Sequence, residues 1–289
     1  MIEAPGTGRP QELDRPTSRW LAWHEAMSHG MLGREVRPLG DGVLLYDATD
    51  REPFWNRIAG IAWPDDRDAF DRRLTETLAL FATLDRIPHF WPMPGFDEPA
   101  DLVDRLLDAG FEDHGAGMLM ALDPARFDPD RNGRNGDLPT RPDVTVQRVH
   151  RIAGPVADEA ARGIAIVLAE AFRVESHRLG AIEDETLALL GRDEFHAVLI
   201  RVDGEPAATA RRTTFAGASY LSSIGTAPAF RGLGLGRLVT SLVVSDAIGA
   251  GSGWIYLGVF EDNDVARRLY TSLGFVPIGG VSPDLLLRP

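Results

Sequence analysis

The chain has no cysteine among its 289 residues. That excludes disulfides and thiolate chemistry supplied by the protein itself. No apolar run approaches the roughly 20 residues that a membrane-spanning helix needs. The polar, proline- and glycine-rich start from Met1 to Pro16 lacks the basic-then-apolar order of a secretion signal. A soluble, cytoplasmic protein is expected, with no membrane partner. Positive charge is scarce: 30 Lys plus Arg stand against 43 Asp plus Glu, a formal charge of −13. Such a balance disfavours nucleic acid and suits neutral or cationic partners. The length suggests two domains of ordinary size.

What the chain does have is one glycine-rich stretch around which the rest is organised. Ile224-Gly225-Thr226 reads as the end of a strand, Pro228 breaks it, and Arg231-Gly232-Leu233-Gly234-Leu235-Gly236 leads into a helix. In that helix Leu235, Leu238, Val239, Leu242, Val243 and Ala247 form an apolar stripe of helical period. A glycine-rich loop opening a helix aims unpaired N–H groups outward with the positive end of the helix dipole behind them. This is a cradle for phosphate oxygens, to which Arg231 adds a full charge. A Walker loop is excluded because no lysine follows the glycines. A dinucleotide fingerprint is excluded by Arg237 at the third glycine's place and by Tyr256-Leu257-Gly258 where an acid is needed.

Before this stretch, Pro16 to Gly30 reads as a helix with Trp20, Trp23 and Met27 on its apolar side. His24 and His29 are five apart, one too many for the zinc-helix spacing, and no metal site is expected. Strands follow at Gly42 to Asp47, Asn56 to Trp63, Phe90-Trp91 and Met118 to Leu122, with helices at Asp68 to Leu84 and Ala100 to Ala109. Residues 127–143 are rich in Pro, Asp and Asn-Gly breaks and read as a linker. The expected domains are therefore 1–126 and 144–289. In the second, strands are expected at Val144 to Arg148, Phe195 to Val202, Ala207 to Phe215, Tyr220 to Thr226, Trp254 to Val259 and Phe275 to Ile278. Helices are expected at Val156 to Phe172, Thr186 to Leu190 and Asp262 to Leu273.

The glycine loop, together with Leu257-Gly258-Val259, Asn263, Ala266, Leu269-Tyr270 and Gly274-Phe275, resembles the GCN5-related N-acetyltransferases (GNAT) over roughly residues 144 to 289. The resemblance implies an α/β fold with a mixed, mostly antiparallel central sheet flanked by helices, in which two strands splay apart around acetyl-CoA. Carried over, the backbone of Ile224, Gly225 and Thr226 faces the pantetheine and acetyl group. Arg231, Gly232, Leu233, Gly234, Leu235 and Gly236 hold the pyrophosphate, and Asn263 and Ala266 meet the cofactor from the next helix. Tyr270 resembles the family's general acid, protonating the leaving sulfur; a thiol of pKa about 8.5 takes a proton from a phenol of about 10 with modest assistance. The base is less clear, because Tyr220 to Thr226 carries no acid. Glu261 is the nearest candidate, with Glu170, Glu175 and His177 as others.

A constant offset of 164 relates Pro64 to Pro228, Arg67 to Arg231, Gly110 to Gly274 and Phe111 to Phe275, the mark of an internal repeat. Asp68, Phe70 and Leu106 stand opposite Gly232, Gly234 and Tyr270, so the first copy is expected not to bind acetyl-CoA. Two tandem copies, the second catalytic, are expected. The expected function is transfer of an acetyl group from acetyl-CoA to a small-molecule primary amine, with a homodimer possible. A non-catalytic acyl-CoA sensor or scaffold, or a protein-amine acetyltransferase, is the alternative.

Overall fold

The computed structural model describes residues 9–31, 33–128 and 143–288. Residues 129–142, most of the expected linker, and residues 1–8 lie outside the described residues. The chain divides into two compact units. One comprises Met1–Met120, Gly258–Asp264 and Pro277–Pro289, the other Ala121–Leu257 and Val265–Val276. The contiguous spans 1–126 and 144–289 thus give way to interleaved ones, because two stretches from the end of the chain pack with the first unit.

The first unit opens with α1 (Arg15–Gly30), whose first turn is capped by Asp14 accepting from the Thr17 N–H at 2.9 Å. Trp20 is buried as expected, but Trp23 and Met27 are half-buried, while His24, Glu25 and His29 go inward. Their burial is explained by pairing: His29 Nε2 meets Glu25 Oε1 at 2.8 Å, and Glu25 also accepts from Arg57. Burial pushes the Glu25 carboxyl up, but Arg57 and His29 outweigh it and hold it at about 2.

The sheet of this unit runs β1 (Glu35–Pro38), β2 (Val43–Tyr46), β3 (Arg57–Ala59) and β4 (His89–Phe90), with α2 (Arg67–Thr83) between the last two. Helix α3 (Leu102–Asp108) leads to β5 (Glu112–Leu122). Strand alternation gives β2 two apolar faces: Val43 and Leu45 pack with Ala26 of α1, and Leu44 packs with Phe70 and Phe81 of α2. Beside β4 lies the last strand of the chain, here β11 (Phe275–Leu286), antiparallel with Leu285 opposite Phe90 and Leu286 opposite His89. Leu285 is fully buried in the core formed by Leu44, Ile58, Phe90 and Leu106. Such burial contributes about 1.5–3 kcal/mol.

The second unit holds β6 (Val144–Val149), α4 (Pro155–Phe172), α5 (Leu179–Leu189), β7 (Phe195–Val202), β8 (Glu205–Phe215) and β9 (Ala218–Thr226). After these come α6 (Leu235–Gly249), β10 (Trp254–Phe260) and α7 (Asp264–Ser272), of which residues 258–264 group with the first unit. Strands β6 to β9 form an antiparallel meander and β9 runs parallel to β10. Asp203 and Gly204 both take positive φ between β7 and β8, the tight turn that an Asp-Gly pair signals. Helix α4 lies close on the sheet because Gly163 has no side chain; a Cβ there would stand 2.8 Å from Leu199 Cδ2. In each unit a mixed, mostly antiparallel sheet is thus flanked by helices.

The offset of 164 carries over from residues to elements. Shifted by it, β5 becomes 276–286 against β11 at 275–286, and α3 becomes 266–272 against α7 at 264–272. Shifted likewise, β1, β2 and β3 fall inside β7, β8 and β9.

Candidate functional site

Strands β9 and β10 pair only from Ala218 with Trp254 to Leu221 with Leu257. Past Leu221 the pairing ends, so among the described residues Ser222 to Thr226 have no strand partner from β10. On the other side β9 stays with β8, but two residues, Ser223 and Ile224, stand opposite the single residue Ala210. This is a β-bulge, with Ser223 at φ 51° as the displaced residue. The bulge bends β9 at the point where it leaves β10. The result is an open strand edge of extended N–H and C=O groups that a chain-like ligand can pair with.

The loop after β9 passes through a short helical turn at Pro228–Phe230 and reaches α6 at Leu235. Gly232 (φ 81°) and Gly234 (φ 76°) sit in the left-handed region, which explains glycine at both. A Cβ at either would meet nothing within 4 Å, so the backbone there is open to an approaching group. Gly234 is the N-cap of α6 and supplies no side chain to its first turn. The first helical hydrogen bond runs from the Leu238 N–H to the Gly234 carbonyl at 3.0 Å, leaving the amides before it aimed out of the helix. Leu235, fully buried, pins the turn to the core. The exposed Arg231 guanidinium donates only to the carbonyls of Thr226 (3.3 Å) and Ala171 (3.4 Å), and no carboxylate among the described residues neutralises it.

Gly236 does different work from the other two glycines. A Cβ there would lie 3.3 Å from Thr226 Oγ1 and 3.4 Å from Leu269 Cδ1, so its absence lets α7 and β9 close on the first turn of α6. Arg237 fastens the same contact by donating to Ser272 Oγ at 2.5 Å. Tyr270 therefore stands on a helix held against the loop. It is 7% exposed and packs on Phe275 at 6.0 Å between ring centroids. Burial pushes its phenol up from its ordinary value, so the proton is held at neutral pH. No group among the described residues bonds to its hydroxyl.

Residues 164–275 match the family model described as the acetyltransferase (GNAT) family. This segment is a GNAT domain. Over 52 residues the chain is 44% identical to a mycothiol acetyltransferase of Nocardiopsis dassonvillei, a match spanning 18% of this chain and 16% of that protein's length. The fold is similar to a GCN5-related N-acetyltransferase from Kribbella flavida, with TM-score 0.64 and 23% identity over 93% of this chain and 96% of that one. It is similar also to a tandem GNAT protein of the clavulanic acid biosynthesis pathway, with TM-score 0.59 and 16% identity over 88% and 82% of the two chains. A GCN5-related N-acetyltransferase from Sphaerobacter thermophilus gives TM-score 0.56 and 16% identity over 99% and 95%.

Of the residues expected at the site, Ile224, Gly225, Thr226, Arg231 to Gly236, Ala266 and Tyr270 lie in the second unit. Glu261 and Asn263 group with the first unit. There Glu261 is exposed, its N–H bonds to the Ala116 carbonyl at 2.9 Å, and it lines a pocket of about 430 Å³ with Asp97 and Pro92. The bulge at Ser223 has no signal in the sequence beyond the small residues around it. The end of α4 is also absent from the expected set. A Cβ at Gly225 would lie 3.0 Å from Ala171 Cβ and 3.6 Å from Phe172 Cε2, so α4 closes over the bulge.

The counterpart of the loop in the first unit is already helix. Shifted by 164, α2 would span 231–247, four residues ahead of α6, so the glycine loop has no equivalent there. Asp66 caps α2 by accepting from the Ala69 N–H at 2.9 Å, and Asp68 adds a second carboxylate in the first turn. Phe70, opposite Gly234 in the offset, points inward, 1% exposed and 5.4 Å from the Trp63 ring.

Proposed function

We propose that the protein is an N-acetyltransferase whose GNAT domain moves the acetyl group of acetyl-CoA to a primary amine of a small molecule, and that the first unit is a degenerate tandem copy. The observation that carries this reading is the open edge of β9 leading directly to an uncapped helix start. The open backbone at Gly232 and Gly234 leaves room for pyrophosphate oxygens against backbone N–H groups, with Arg231 beside them. The unpaired edge from Ser222 to Thr226 fits the amides of an extended pantetheine arm, and donors there can also meet the thioester oxygen as it gains charge.

In the reaction the amine nitrogen attacks the thioester carbonyl carbon, a C–N bond forms, and the C–S bond breaks to leave the thiolate. Tyr270 keeps a proton ready for that sulfur, first as a hydrogen-bond donor and then in full transfer. No carboxylate lies on β9, so the proton that the amine nitrogen sheds passes to solvent water. The two carboxylates at the start of α2 support a first unit that leaves CoA unbound.

The test is calorimetry with acetyl-CoA followed by thiol release over a panel of primary amines. One site per chain and amine-dependent release are expected. Two equivalent sites would refute the degenerate copy. The chain contains no lysine, so release cannot arise from acetylation of its own lysines. Binding without turnover on small amines or peptides would instead favour an acyl-CoA sensor.

A further inference from the structure

The end of α4 places one large side chain beside the open edge of β9, where the proposed thioester lies. The apolar stripe of α4 is buried: Ile164 and Val167 are 0% exposed and Leu168 5%. Phe172, the last residue of the helix, is 56% exposed. Its position is fixed by the residues around it. Arg173 takes the left-handed conformation (φ 55°) that ends the helix, and the Val174 N–H closes the turn on the Ala169 carbonyl at 2.9 Å. Arg231 adds a bond to the Ala171 carbonyl at 3.4 Å, tying the same turn to the glycine loop.

Side-chain alternation along β9 shows which face this turn covers. Thr226 reaches toward Gly236 of α6, on the face of the glycine loop, whereas the Cα of Gly225 faces Leu168, Ala171 and Phe172 of α4. A ligand with its phosphates at the α6 start and its arm along the open edge of β9 enters from the first face. Whatever projects past the open edge of β9 reaches the second face, beside the Phe172 ring.

We propose that Phe172 is a specificity-determining residue that limits the length of the transferred acyl group. This rests on the acetyl-CoA reading above. An acetyl methyl ends at the bulge. Each further methylene carries the chain into a ring held on a capped helix turn. The ring also covers the thioester on the solvent side.

The experiment is calorimetry of CoA, acetyl-CoA and hexanoyl-CoA on the full chain, for wild type, Phe172→Ala and Phe172→Trp, with a melting curve for each. Wild type should bind acetyl-CoA tighter than hexanoyl-CoA by about tenfold or more, the range that a few mismatched methylenes command. Phe172→Ala should bring the two acyl-CoAs within about threefold while leaving free CoA within about twofold, and Phe172→Trp should keep the wild-type preference. A preference unchanged in Phe172→Ala overturns the proposal. So does a wild type without preference, or an equal loss for CoA and both acyl forms. Failure of wild type to bind CoA at all refutes the acetyl-CoA reading itself, and the first titration shows it before any variant is made.

Discussion

Replacing Gly234 with aspartate copies into the second unit what the first already has at α2. The effect on folding follows from two opposing terms. Gly234 lies at φ 76°, so a side chain there costs about 1–2 kcal/mol of left-handed strain, at the low end for aspartate. No clash adds to this, since a Cβ at Gly234 meets nothing within 4 Å. Aspartate at an N-cap recovers a few tenths of a kcal/mol relative to glycine. The net loss of about 1 kcal/mol lowers the melting temperature by about 2–4 °C. The effect on CoA is larger. A carboxylate about 4 Å from a phosphate charge is repelled by about 1 kcal/mol in water and about 4 kcal/mol at the effective dielectric of a protein surface. At this distance salt screens little, because the Debye length is about 8 Å. The Kd for acetyl-CoA should therefore rise by about 5- to 1000-fold. Gly234→Ala carries the same strain without the charge and should lose less. Calorimetry with parallel melting curves separates the two effects. A Gly234→Asp protein with the expected melting temperature and a Kd within about twofold of wild type would show that the phosphates sit elsewhere.

Tyr270→Phe should leave CoA affinity and melting temperature near wild type, since no protein hydrogen bond is lost, and lower turnover by about ten- to ten-thousand-fold; unchanged turnover would assign the acid elsewhere. Because burial pushes this phenol up, no alkaline fall in activity from Tyr270 is expected below pH 10. His196 stacks on His150 at 3.8 Å, and its pKa falls to about 4 through burial, Arg212 and His150. Between its ordinary value of about 6.5 and 4 the unfolded chain binds a proton that the folded chain refuses, so its contribution to stability is whole above 6.5 and is lost as pH falls toward 4. Asp97, raised by burial to about 7, works in the opposite sense in the first unit, so the readout is the difference in acid sensitivity between wild type and His196→Gln; identical pH profiles would refute the role of His196. Ending the chain after Val276 should melt the first unit and leave CoA binding in the second, seen as loss of one melting transition with Kd retained. A single unchanged transition would show that β11 is dispensable.

The elements of strong period were legible in the sequence. Helix α6 follows from its stripe, and the β7–β8 hairpin from Asp203-Gly204. The glycine loop was legible because φ 81° and φ 76° leave little choice of residue at 232 and 234. What escaped has no local period. Strand β5 starts at Glu112 rather than Met118 because its first residues are polar and exposed, and β1 is four residues ending in proline. Strand β11 runs to Leu286 rather than Ile278, since the reason for its length is a partner, β4, nearly 200 residues away in the chain. The bulge at Ser223 and the ring of Phe172 over Gly225 are likewise products of packing. Asp68 and Phe70 stand where the second unit has its loop glycines, but the cap of α2 comes from Asp66, and Phe70 serves the core.

The pairing of β11 with β4 also sets an order of events during synthesis. Residues 277–286 leave the ribosome after the whole of the second unit, yet the first unit needs them to place Leu285 against Phe90. The second unit has all of its residues once Val276 has emerged. The half of the protein made first is therefore the half finished last. Until then the β4 edge stands open on the nascent chain, a template for pairing with a neighbouring polypeptide. A stop codon or a protease cut between Val276 and Leu285 reproduces that half-finished state.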